Sequence, residues 1–499
     1  MIFKKKLKKK PSADKTNQKL EGGSFRSNTV LDTRCRAITD KYEYQETLGE
    51  GKMGKVASAR KIKPSYDKRE NPPPHELVAL KSAIVKASDM HCVKALRREI
   101  DLLKELDHPN VVKGLEAYKS SDRNIHLAFQ YCTGGNLYSR FPVDEDGQRV
   151  PFHEKDAAPI IYQLLSALSH MHASCICHRD VKFENIMYDS EDTNVINLID
   201  FGAACKFNPG KAMQDPIGTV YTMAREVQMG KYTEKVDLWS VGVITYMMLS
   251  LTKPFYGESK YKIVSKIMKG VFRYYSPRWE NVSSTAKSFI NALIEIDPEK
   301  RLSAAQAMNH PWIKEFYPSE EYCIDDEKTL KILHDSIVKY STYNEFKKIG
   351  LIIVAHQMET DHVEIMRKVF DTYDANKNGT ISFPDFVTMM GKIQQDYNTD
   401  DLREIFHKIT MDHTSKAIRY TEFLAMAMGM EPKLVTEDRL WRAFDRIDYE
   451  ARGTITKEQL KLLMGCDYQY ERINELWGEH DFGAGISFEE FVSFFDDFI

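Results

Sequence analysis

The string His178-Arg179-Asp180-Val181-Lys182-Phe183-Glu184-Asn185 constrains this chain of 499 residues more than any other feature. Asp180 can accept a proton from a hydroxyl, Lys182 can steady a phosphate, and Asn185 can bind a hard cation. Asp200, in Asp200-Phe201-Gly202, adds a second oxygen ligand of the kind that Mg²⁺ shares with phosphate groups. Together these residues predict a site for phosphoryl transfer.

A glycine-rich stretch lies upstream of this string and supports the same chemistry. Gly49-Glu50-Gly51-Lys52-Met53-Gly54-Lys55-Val56 fits the pattern G-x-G-x-x-G-x-V, in which glycines let the backbone close over phosphates. Leu48 and Ala79 complete the predicted nucleotide site. Alone, such a stretch is equally consistent with a structural turn. However, Lys81 ends a strand-like segment, and Glu99 follows on an amphipathic helix where it can pair with that lysine.

On these motifs, residues 42–314 resemble the eukaryotic protein kinases. The resemblance implies an α+β fold of two lobes, a small sheet lobe on a larger helical lobe. It also implies ATP and Mg²⁺ as cofactors and transfer to serine or threonine hydroxyls of protein substrates. The residues that it assigns are Asp180, Lys182, Lys81 and Glu99 for catalysis, Asn185 and Asp200 for Mg²⁺, and Gln130, Cys132 and Glu184 for the nucleotide.

Smaller matches to the kinases concern residues that support the site. Asp237 lies where the family has an acid that braces the catalytic loop. Arg301 lies where the family has an arginine that pairs with a glutamate, which here is Glu226. The resemblance therefore implies two long-range contacts that the structure can test.

Two departures from the kinase pattern concern substrate choice and activation. Asn136 replaces a glutamate that the family often uses to bind ribose and a substrate arginine, so strong arginine selectivity is not expected. Residues 203–217 of the activation segment contain no Ser, Thr or Tyr, which excludes activation by phosphorylation inside them. Asp215 is the acid that can pair with Arg179 in place of a phosphate.

A calcium-loop pattern appears in the last third of the chain. The segment from Asp374 to Asp385 reads D-x-N-x-N-G, with Ile381 at loop position 8. The predicted Ca²⁺ ligands are the side chains of Asp374, Asn376, Asn378 and Asp385 and the backbone carbonyl of Thr380. Position 12 is aspartate instead of the usual glutamate, which predicts weaker Ca²⁺ binding and a shift toward Mg²⁺.

Three further segments repeat this pattern in degraded form. The second, from Phe406 to Phe423, lacks the glycine and places Met411 at position 1. The third, 448–459, has Arg452 among its ligand positions and no carboxylate at position 12, and the fourth, 479–490, lacks the ligand at position 5 and the glycine at position 6. We expect these three to be structural, because paired hands share a core and a short β contact.

With these repeats, the whole chain resembles the calcium-dependent protein kinase family, in which a calmodulin-like domain follows the kinase. The resemblance implies a bilobal protein kinase fold followed by an all-α EF-hand domain. The predicted divisions are a disordered basic tail at 1–41, the kinase at 42–314, an autoregulatory junction helix at 315–357 and the EF-hand domain at 358–499.

Composition adds expectations about partners and compartment. The net charge of −3 gives no overall attraction to nucleic acid, and no apolar run is long enough for a membrane span. The six lysines of Met1–Lys10 are either a solvated tail or a weak contact with an anionic membrane. The eight cysteines form no CxxC pair, so we expect free thiols, a cytoplasmic protein and a monomer.

Three functions remain open from the sequence. The first is a Ser/Thr kinase regulated by Ca²⁺ through its EF-hand domain, with the junction helix blocking or bracing the catalytic lobe. The second is an active kinase with little calcium response. The third is a kinase-shaped EF-hand scaffold that uses ATP only to hold its shape. The intact Lys81, Asp180, Asn185 and Asp200 favour an active enzyme.

Overall fold

The computed structural model describes residues 31–35, 37–51, 54–62, 77–83, 90–120, 124–275, 277–317, 326–393, 397–410, 416–464, 474, 477–478 and 482–498. Lys52 and Met53 of the glycine-rich stretch, Met411 of the second hand and the lysine run Met1–Lys10 lie outside these residues. So do the first residues of the fourth calcium loop.

The N-terminal lobe is built on a six-stranded sheet in the order β1-β5-β6-β4-β3-β2. Its strands are β1 (Leu31–Cys35), β2 (Tyr42–Gly51), β3 (Gly54–Lys61), β4 (Leu77–Ala83), β5 (Gly114–Ser120) and β6 (Ile125–Gln130). Helix α1 (Met90–Leu103) packs on this sheet and carries Glu99. Only the β1–β5 pair is parallel among the described strand pairs of the sheet.

Strand β1 corrects the predicted tail. Residues 31–35 were assigned to a disordered segment, but they pair in register with Glu116–Ser120 of β5. Ile38–Asp40 then form a short 3-10 turn that leads into β2. The strand forms because the outer edge of β5 offers backbone hydrogen-bonding groups to any extended chain. Such pairing needs no apolar periodicity, so the sequence of this segment did not indicate a strand.

The C-terminal lobe is mainly helical. Its helices are α2 (Glu154–Ala173), α3 (Arg225–Gln228), α4 (Lys235–Ser250), α5 (Lys260–Lys269), α6 (Ser284–Leu293), α7 (Ala304–Met308) and α8 (Pro311–Phe316). Short strands frame the catalytic loop and the activation segment: β7 (Ile176–Cys177) pairs with β10 (Cys205–Lys206), and β8 (Ile186–Tyr188) pairs with β9 (Ile196–Leu198). Buried helices α2 and α4 form the centre of the lobe's core.

The C-terminal region is helical and has its own hydrophobic core. Its helices are α9 (Glu327–Ser341), α10 (Glu345–Gln357), α11 (Glu364–Tyr373), α12 (Phe383–Ile393), α13 (Thr399–Ile409), α14 (Tyr420–Ala427), α15 (Glu437–Ile447), α16 (Lys457–Met464) and α17 (Phe488–Ser493). Strands β11 (Thr380–Ser382) and β12 (Ala417–Arg419) join the first two hands, and a bridge from Ile455 to Ile486 joins the last two.

The junction segment differs from the single autoregulatory helix that the sequence predicts. It forms two helices, because α9 ends at Ser341 and a new helix, α10, begins after Asn344. Asn344 caps α10 by accepting a hydrogen bond from the Lys347 amide at 2.8 Å. Leu333, Ile337 and the apolar face of α10 are buried in the core of the EF-hand region. The junction is therefore part of that region's core.

No helix among the described residues has the length and apolar character needed to cross a membrane.

Candidate active site and calcium loops

Lys81 lies at the centre of an ion-pair network between the two lobes, in which Lys81 and Glu99 are buried and the Asp200 side chain is 43% exposed. Its Nζ lies 2.8 and 2.9 Å from the carboxylate oxygens of Glu99 and 2.8 Å from Oδ1 of Asp200. Burial alone would lower the pKa of Lys81, but the two carboxylates outweigh it and raise the pKa, so the ammonium stays charged. The predicted lysine–glutamate pair is thus in place, and it joins α1 to the Asp200 motif.

Asp180 is surrounded by donors that hold its carboxylate. Lys182 Nζ donates to Oδ2 at 2.7 Å, and the hydroxyl of Thr219 donates to Oδ1 at 2.6 Å. Asn185 donates from Nδ2 to the backbone carbonyl of Asp180 at 2.8 Å, which fixes the carboxamide beside the catalytic carboxylate. A hydroxyl group can therefore reach the Asp180 carboxylate, as proton transfer from a substrate requires.

Asp237 holds the catalytic loop in its strained shape. This buried carboxylate, near the start of α4, accepts hydrogen bonds from the backbone amides of His178 at 2.9 Å and Arg179 at 2.8 Å. Arg179 has a φ of 66°, a left-handed conformation that costs free energy in a non-glycine residue. The two hydrogen bonds from these amides offset that cost, and Asp237 therefore has the bracing position that the resemblance implies.

The described part of the glycine-rich stretch lies at the end of β2 and the start of β3, where Gly51 pairs with Gly54. Gly54 has a φ of 128°, and a Cβ there would lie 2.2 Å from the carbonyl oxygen of Ser82, so a side chain is excluded. Ala79 on β4 and Cys132 after β6 are buried, whereas Leu48 is exposed. The structure thus places the predicted nucleotide residues that it describes, apart from Glu184, on β2, β3, β4 and β6 and on the segment that follows β6.

The nucleotide role of Glu184 stays a prediction, and its side chain has a partner in the activation segment. Its carboxylate accepts a hydrogen bond from the Tyr221 hydroxyl at 2.9 Å, and Lys253 Nζ lies 5.0 Å from the centre of the Tyr221 ring. Tyr221 belongs to the substrate end of the activation segment. The Glu184 side chain therefore faces the substrate side, where Tyr221, 37 residues away in sequence, donates a hydrogen bond to it.

Arg179 connects the catalytic loop to the activation segment mainly through neutral groups. It donates from Nε to the carbonyl of Ala203 at 2.7 Å and from Nη1 to the hydroxyl of Tyr232 at 3.2 Å. Asp215 Oδ2 lies 3.7 Å from Nη1, and its side chain is 74% exposed. Sequence reasoning anticipated Asp215 but missed Tyr232, whose hydroxyl also donates to the Asp215 carbonyl at 2.5 Å.

Asp215→Ala is expected to lower kcat modestly, by at most about fivefold, because an exposed ion pair contributes little free energy. Tyr232→Phe, which removes the hydroxyl between Arg179 and the Asp215 backbone, should lower kcat more. Steady-state kinetics at saturating ATP measure both effects. An unchanged kcat in folded Asp215→Ala would show that Asp215 does not substitute for a phosphate.

The second predicted long-range pair joins Arg301 to Glu226 on α3 in the C-terminal lobe. Arg301 Nη1 donates to Oε1 of Glu226 at 2.6 Å, and both side chains are buried. The guanidinium of Arg301 also donates to the carbonyl oxygens of Glu295 and Lys235. This network anchors α3, which follows directly on the substrate end of the activation segment.

The first calcium loop has the closed backbone that its sequence predicts. Asp374 accepts hydrogen bonds from the amides of Gly379 at 2.7 Å and Asn378 at 3.2 Å, and Lys377 and Gly379 have φ values of 49° and 77°. Burial raises the pKa of Asp374 to about 6. A bound cation would stabilise the charged form of this carboxylate, so the residue fits a cation ligand.

Two of the other predicted ligands of this loop accept hydrogen bonds within it. Asn378 Oδ1 accepts hydrogen bonds from the amide and hydroxyl of Thr380, and Asp385 accepts from the amide of Ser382 at 3.0 Å. Asn376 is exposed. The donor set consists of two carboxylates, two carboxamides and a carbonyl, which suits a hard cation such as Ca²⁺.

The kinase and EF-hand signatures are shared with known families. The family model for the protein kinase domain matches residues 42–313, and that for the EF-hand domain pair matches residues 363–428. Calcium-dependent protein kinase 4 of Plasmodium falciparum (isolate 3D7) is 31% identical over 466 residues, 90% of this chain and 83% of that protein. This chain belongs to the calcium-dependent protein kinases.

Other members of this family give the same result. Calcium-dependent protein kinase 3 of Plasmodium yoelii yoelii is 32% identical over 424 residues, 83% of this chain and 73% of that protein. Calcium-dependent protein kinase 11 of Oryza sativa subsp. japonica is 28% identical over 488 residues, 95% of this chain and 80% of that protein. The predicted family, α+β fold class and Ser/Thr kinase activity under Ca²⁺ control are confirmed.

The EF-hand region of this calcium-dependent protein kinase contacts both lobes of the kinase domain. The contacts include His170 Nδ1 to the Asn378 carbonyl at 2.7 Å, the Thr421 amide and hydroxyl to Asp107 at 2.9 and 2.6 Å, Lys113 Nζ to the Met358 carbonyl at 2.9 Å, Lys61 Nζ to Asp445 at 2.8 Å, and Lys41 Nζ to the Tyr449 carbonyl at 3.0 Å. Among the described residues, these polar contacts do not involve Lys81, Asp180 or Asp200.

The first calcium loop itself takes part in this docking. The amide of Asp107 donates to Nε2 of His170 at 3.2 Å, so Nδ1 carries the proton that is donated to the Asn378 carbonyl. Burial lowers the pKa of His170, which keeps the imidazole neutral. A Cβ at Gly379 would lie 2.4 Å from His170 Nδ1. Sequence reasoning missed His170 and Asp107, because no local pattern marks them.

Proposed function

We propose that this kinase transfers the γ-phosphate of Mg-ATP to Ser or Thr hydroxyls of protein substrates and that Ca²⁺ acts through the loop 374–385. The observation that supports the first part is the assembled network of Lys81, Glu99 and Asp200 beside Asp180. A kinase-shaped scaffold would have no need to keep three charged groups in hydrogen-bonding contact where Lys81 and Glu99 are buried, because desolvation is costly.

The residues of the active site divide the work of the reaction. Asn185 and Asp200 would hold Mg²⁺, and their carboxamide and carboxylate oxygens are donors that this ion prefers. Magnesium bound there would neutralise charge that develops on the phosphate oxygens. Lys81, kept in place by Glu99, positions the phosphates. Lys182 steadies the γ-phosphate.

Asp180 orients the substrate hydroxyl and accepts its proton. Thr219 already donates its hydroxyl to Oδ1 of this carboxylate at 2.6 Å, which supports a hydrogen bond of the same kind from a substrate. Glu184, with Tyr221 and Lys253 beside it, belongs to the surface that meets the substrate chain. Protein positioning and charge stabilisation supply most of the catalysis in such loose transition states.

Calcium regulation follows from the docking of the first loop on α2. Ligands in the segment 374–385 would hold Ca²⁺, and the carbonyl of Asn378 in the same loop accepts the hydrogen bond from His170. A loop ordered by Ca²⁺ presents that carbonyl in a fixed position, so we propose that Ca²⁺ strengthens docking and raises activity. Mg²⁺ competes for this loop because Asp385 has a short arm.

Partners and compartment remain proposals as well. We propose a monomer in the cytoplasm, acting on proteins and not on nucleic acid. The described cysteines Cys92, Cys132, Cys175, Cys177 and Cys205 are free thiols, which supports a reducing compartment. The six lysines of Met1–Lys10 suit a weak contact with an anionic membrane surface.

Phosphate transfer from radiolabelled Mg-ATP to a generic basic protein tests the proposed reaction. Label is expected on serine and threonine of the acid-hydrolysed product, and chelation of Mg²⁺ with EDTA should abolish transfer. Asp192→Asn, at an exposed acid between β8 and β9, serves as an active control. Absence of label in folded protein at saturating Mg-ATP would favour the scaffold function.

A further inference from the structure

The third calcium loop has the backbone shape of the first although its ligands are degraded. Asp448 accepts hydrogen bonds from the amides of Gly453 at 2.7 Å and Arg452 at 3.1 Å, as Asp374 does in the first loop. Ala451 and Gly453 have φ values of 55° and 80°, close to those of Lys377 and Gly379. The third loop therefore has the closed shape without a full set of cation ligands, and other contacts must hold it closed.

Gln459 supplies those contacts at loop position 12. Its Nε2 donates to Oδ1 of Asp448 at 3.1 Å, its Oε1 accepts from the Thr456 amide at 2.7 Å, and its side chain is fully buried. A glutamate here would face Asp448 as a like charge and would need a cation between them. The neutral amide instead bonds directly to the carboxylate, so the loop closes on itself.

Arg452 adds a second obstacle to a bound cation. It occupies loop position 5, where a calcium loop has an oxygen ligand, and its guanidinium pairs with Glu450 at 2.9 Å. Both side chains of this pair are substantially exposed. The pair therefore takes no part in the hydrogen bond between Asp448 and Gln459.

This self-closed hand contacts β3 and the residue before β2 in the N-terminal lobe. Lys41 donates to the carbonyl of Tyr449, which is loop position 2, and Lys61 at the end of β3 forms an ion pair with Asp445. Lys61 also pairs with buried Glu116 at 2.7 Å, and Arg446 Nε lies 4.0 Å from the same carboxylate. Burial alone would raise the pKa of Glu116, but Lys61 and Arg446 lower it to about 2.

From these contacts we infer that Gln459 acts as a built-in substitute for calcium and keeps the third hand docked on the N-terminal lobe whether or not Ca²⁺ is present. Calcium then controls only the contact between the first loop and His170 on α2. This inference rests on the proposed calcium regulation and assigns a separate task to each odd-numbered hand. The EF-hand region is permanently attached at one lobe and switched at the other.

Amide hydrogen exchange on the full chain, with Ca²⁺ or with EGTA, tests this division. In the wild-type chain, EGTA should speed exchange in residues 374–385 and leave residues 448–459 unchanged. Gln459→Ala removes the donor to Asp448 and should speed exchange at Gly453 by at least about tenfold in both conditions. Exchange in β3, which carries Lys61, should rise with it.

Gln459→Glu is the decisive variant, because it keeps the shape of the side chain and leaves no cavity. It should speed exchange at Gly453 in EGTA as Gln459→Ala does. Arg452→Ala is the control: it removes the exposed ion pair and should leave exchange at Gly453 unchanged. Equal acceleration of both loops by EGTA in the wild-type chain, or full protection of Gly453 in Gln459→Glu, would overturn the inference.

The readout separates this inference from the proposed function. Exchange is measured without catalysis, so a failure here leaves phosphate transfer and the first calcium loop unaffected. Conversely, if EGTA changes neither loop, the proposed regulation through residues 374–385 is wrong, whereas the acceleration at Gly453 in the Gln459 variants still reports on the third hand.

Discussion

Asp200→Asn is expected to lower kcat for phosphate transfer by at least about 100-fold while the fold persists. The substitution keeps the size of the side chain but removes a carboxylate that pairs with Lys81 at 2.8 Å and that we assign to Mg²⁺. Lys81→Met should have an effect of similar size, because it removes the cation that positions the phosphates. Initial rates at saturating Mg-ATP, with circular dichroism as a check of folding, measure both changes.

A matched substitution separates the effect of Lys81→Met from a general loss of positive charge. Lys368→Met removes an ammonium that pairs with Glu364 on the surface of α11 at 2.7 Å. Because exposed pairs of this kind contribute little, kcat should stay near the wild-type value. More than a few per cent of wild-type activity in folded Asp200→Asn or Lys81→Met would contradict the assignment of the active site.

Asp374→Ala is expected to abolish calcium binding at micromolar to submillimolar Ca²⁺. Among the hands, only the loop 374–385 has oxygen ligands at positions 1, 3 and 5, glycine at 6, an apolar residue at 8 and a carboxylate at 12. We therefore expect about one Ca²⁺ per chain, with a Kd of roughly 10⁻⁶ to 10⁻⁴ M that rises when Mg²⁺ is added. Removal of the buried ligand at position 1 should weaken binding by orders of magnitude.

Titration calorimetry on the full chain measures this stoichiometry. Asp448→Ala is the matched control, since it removes the equivalent residue of the third loop and should leave the heat of calcium binding unchanged. Two or more tight sites in the wild-type chain, or binding that survives Asp374→Ala unchanged, would show that the other hands contribute to binding.

The parts of the active site that were predictable from sequence are those encoded in short strings or in family spacing. Lys81 and Glu99, Asp237 under the catalytic loop and the pair of Arg301 with Glu226 all lie where the spacing implied. Each of these contacts is required by the reaction or by the loop that supports it. The residue types themselves therefore carried the information.

The remaining features depend on contacts between distant segments. His170 and Asn378 are separated by 208 positions, and nothing in either neighbourhood marks them as partners. Strand β1 was missed for the same reason, because it forms on the edge that β5 offers. The hydrogen bond from Tyr221 to Glu184 also joins segments that are distant in sequence. The two junction helices were also missed, because the apolar periodicity runs through the position where Asn344 caps the second helix.

The most direct test of calcium control is the rate of phosphate transfer by the full chain as free Ca²⁺ is varied at fixed Mg-ATP. The wild-type rate should rise in a single transition, at the same Ca²⁺ concentration as the binding measured by calorimetry, and Asp374→Ala should remain at the calcium-free rate throughout. A rate that does not change with Ca²⁺ in the wild-type chain, or a calcium response that persists in Asp374→Ala, would contradict regulation through the first hand.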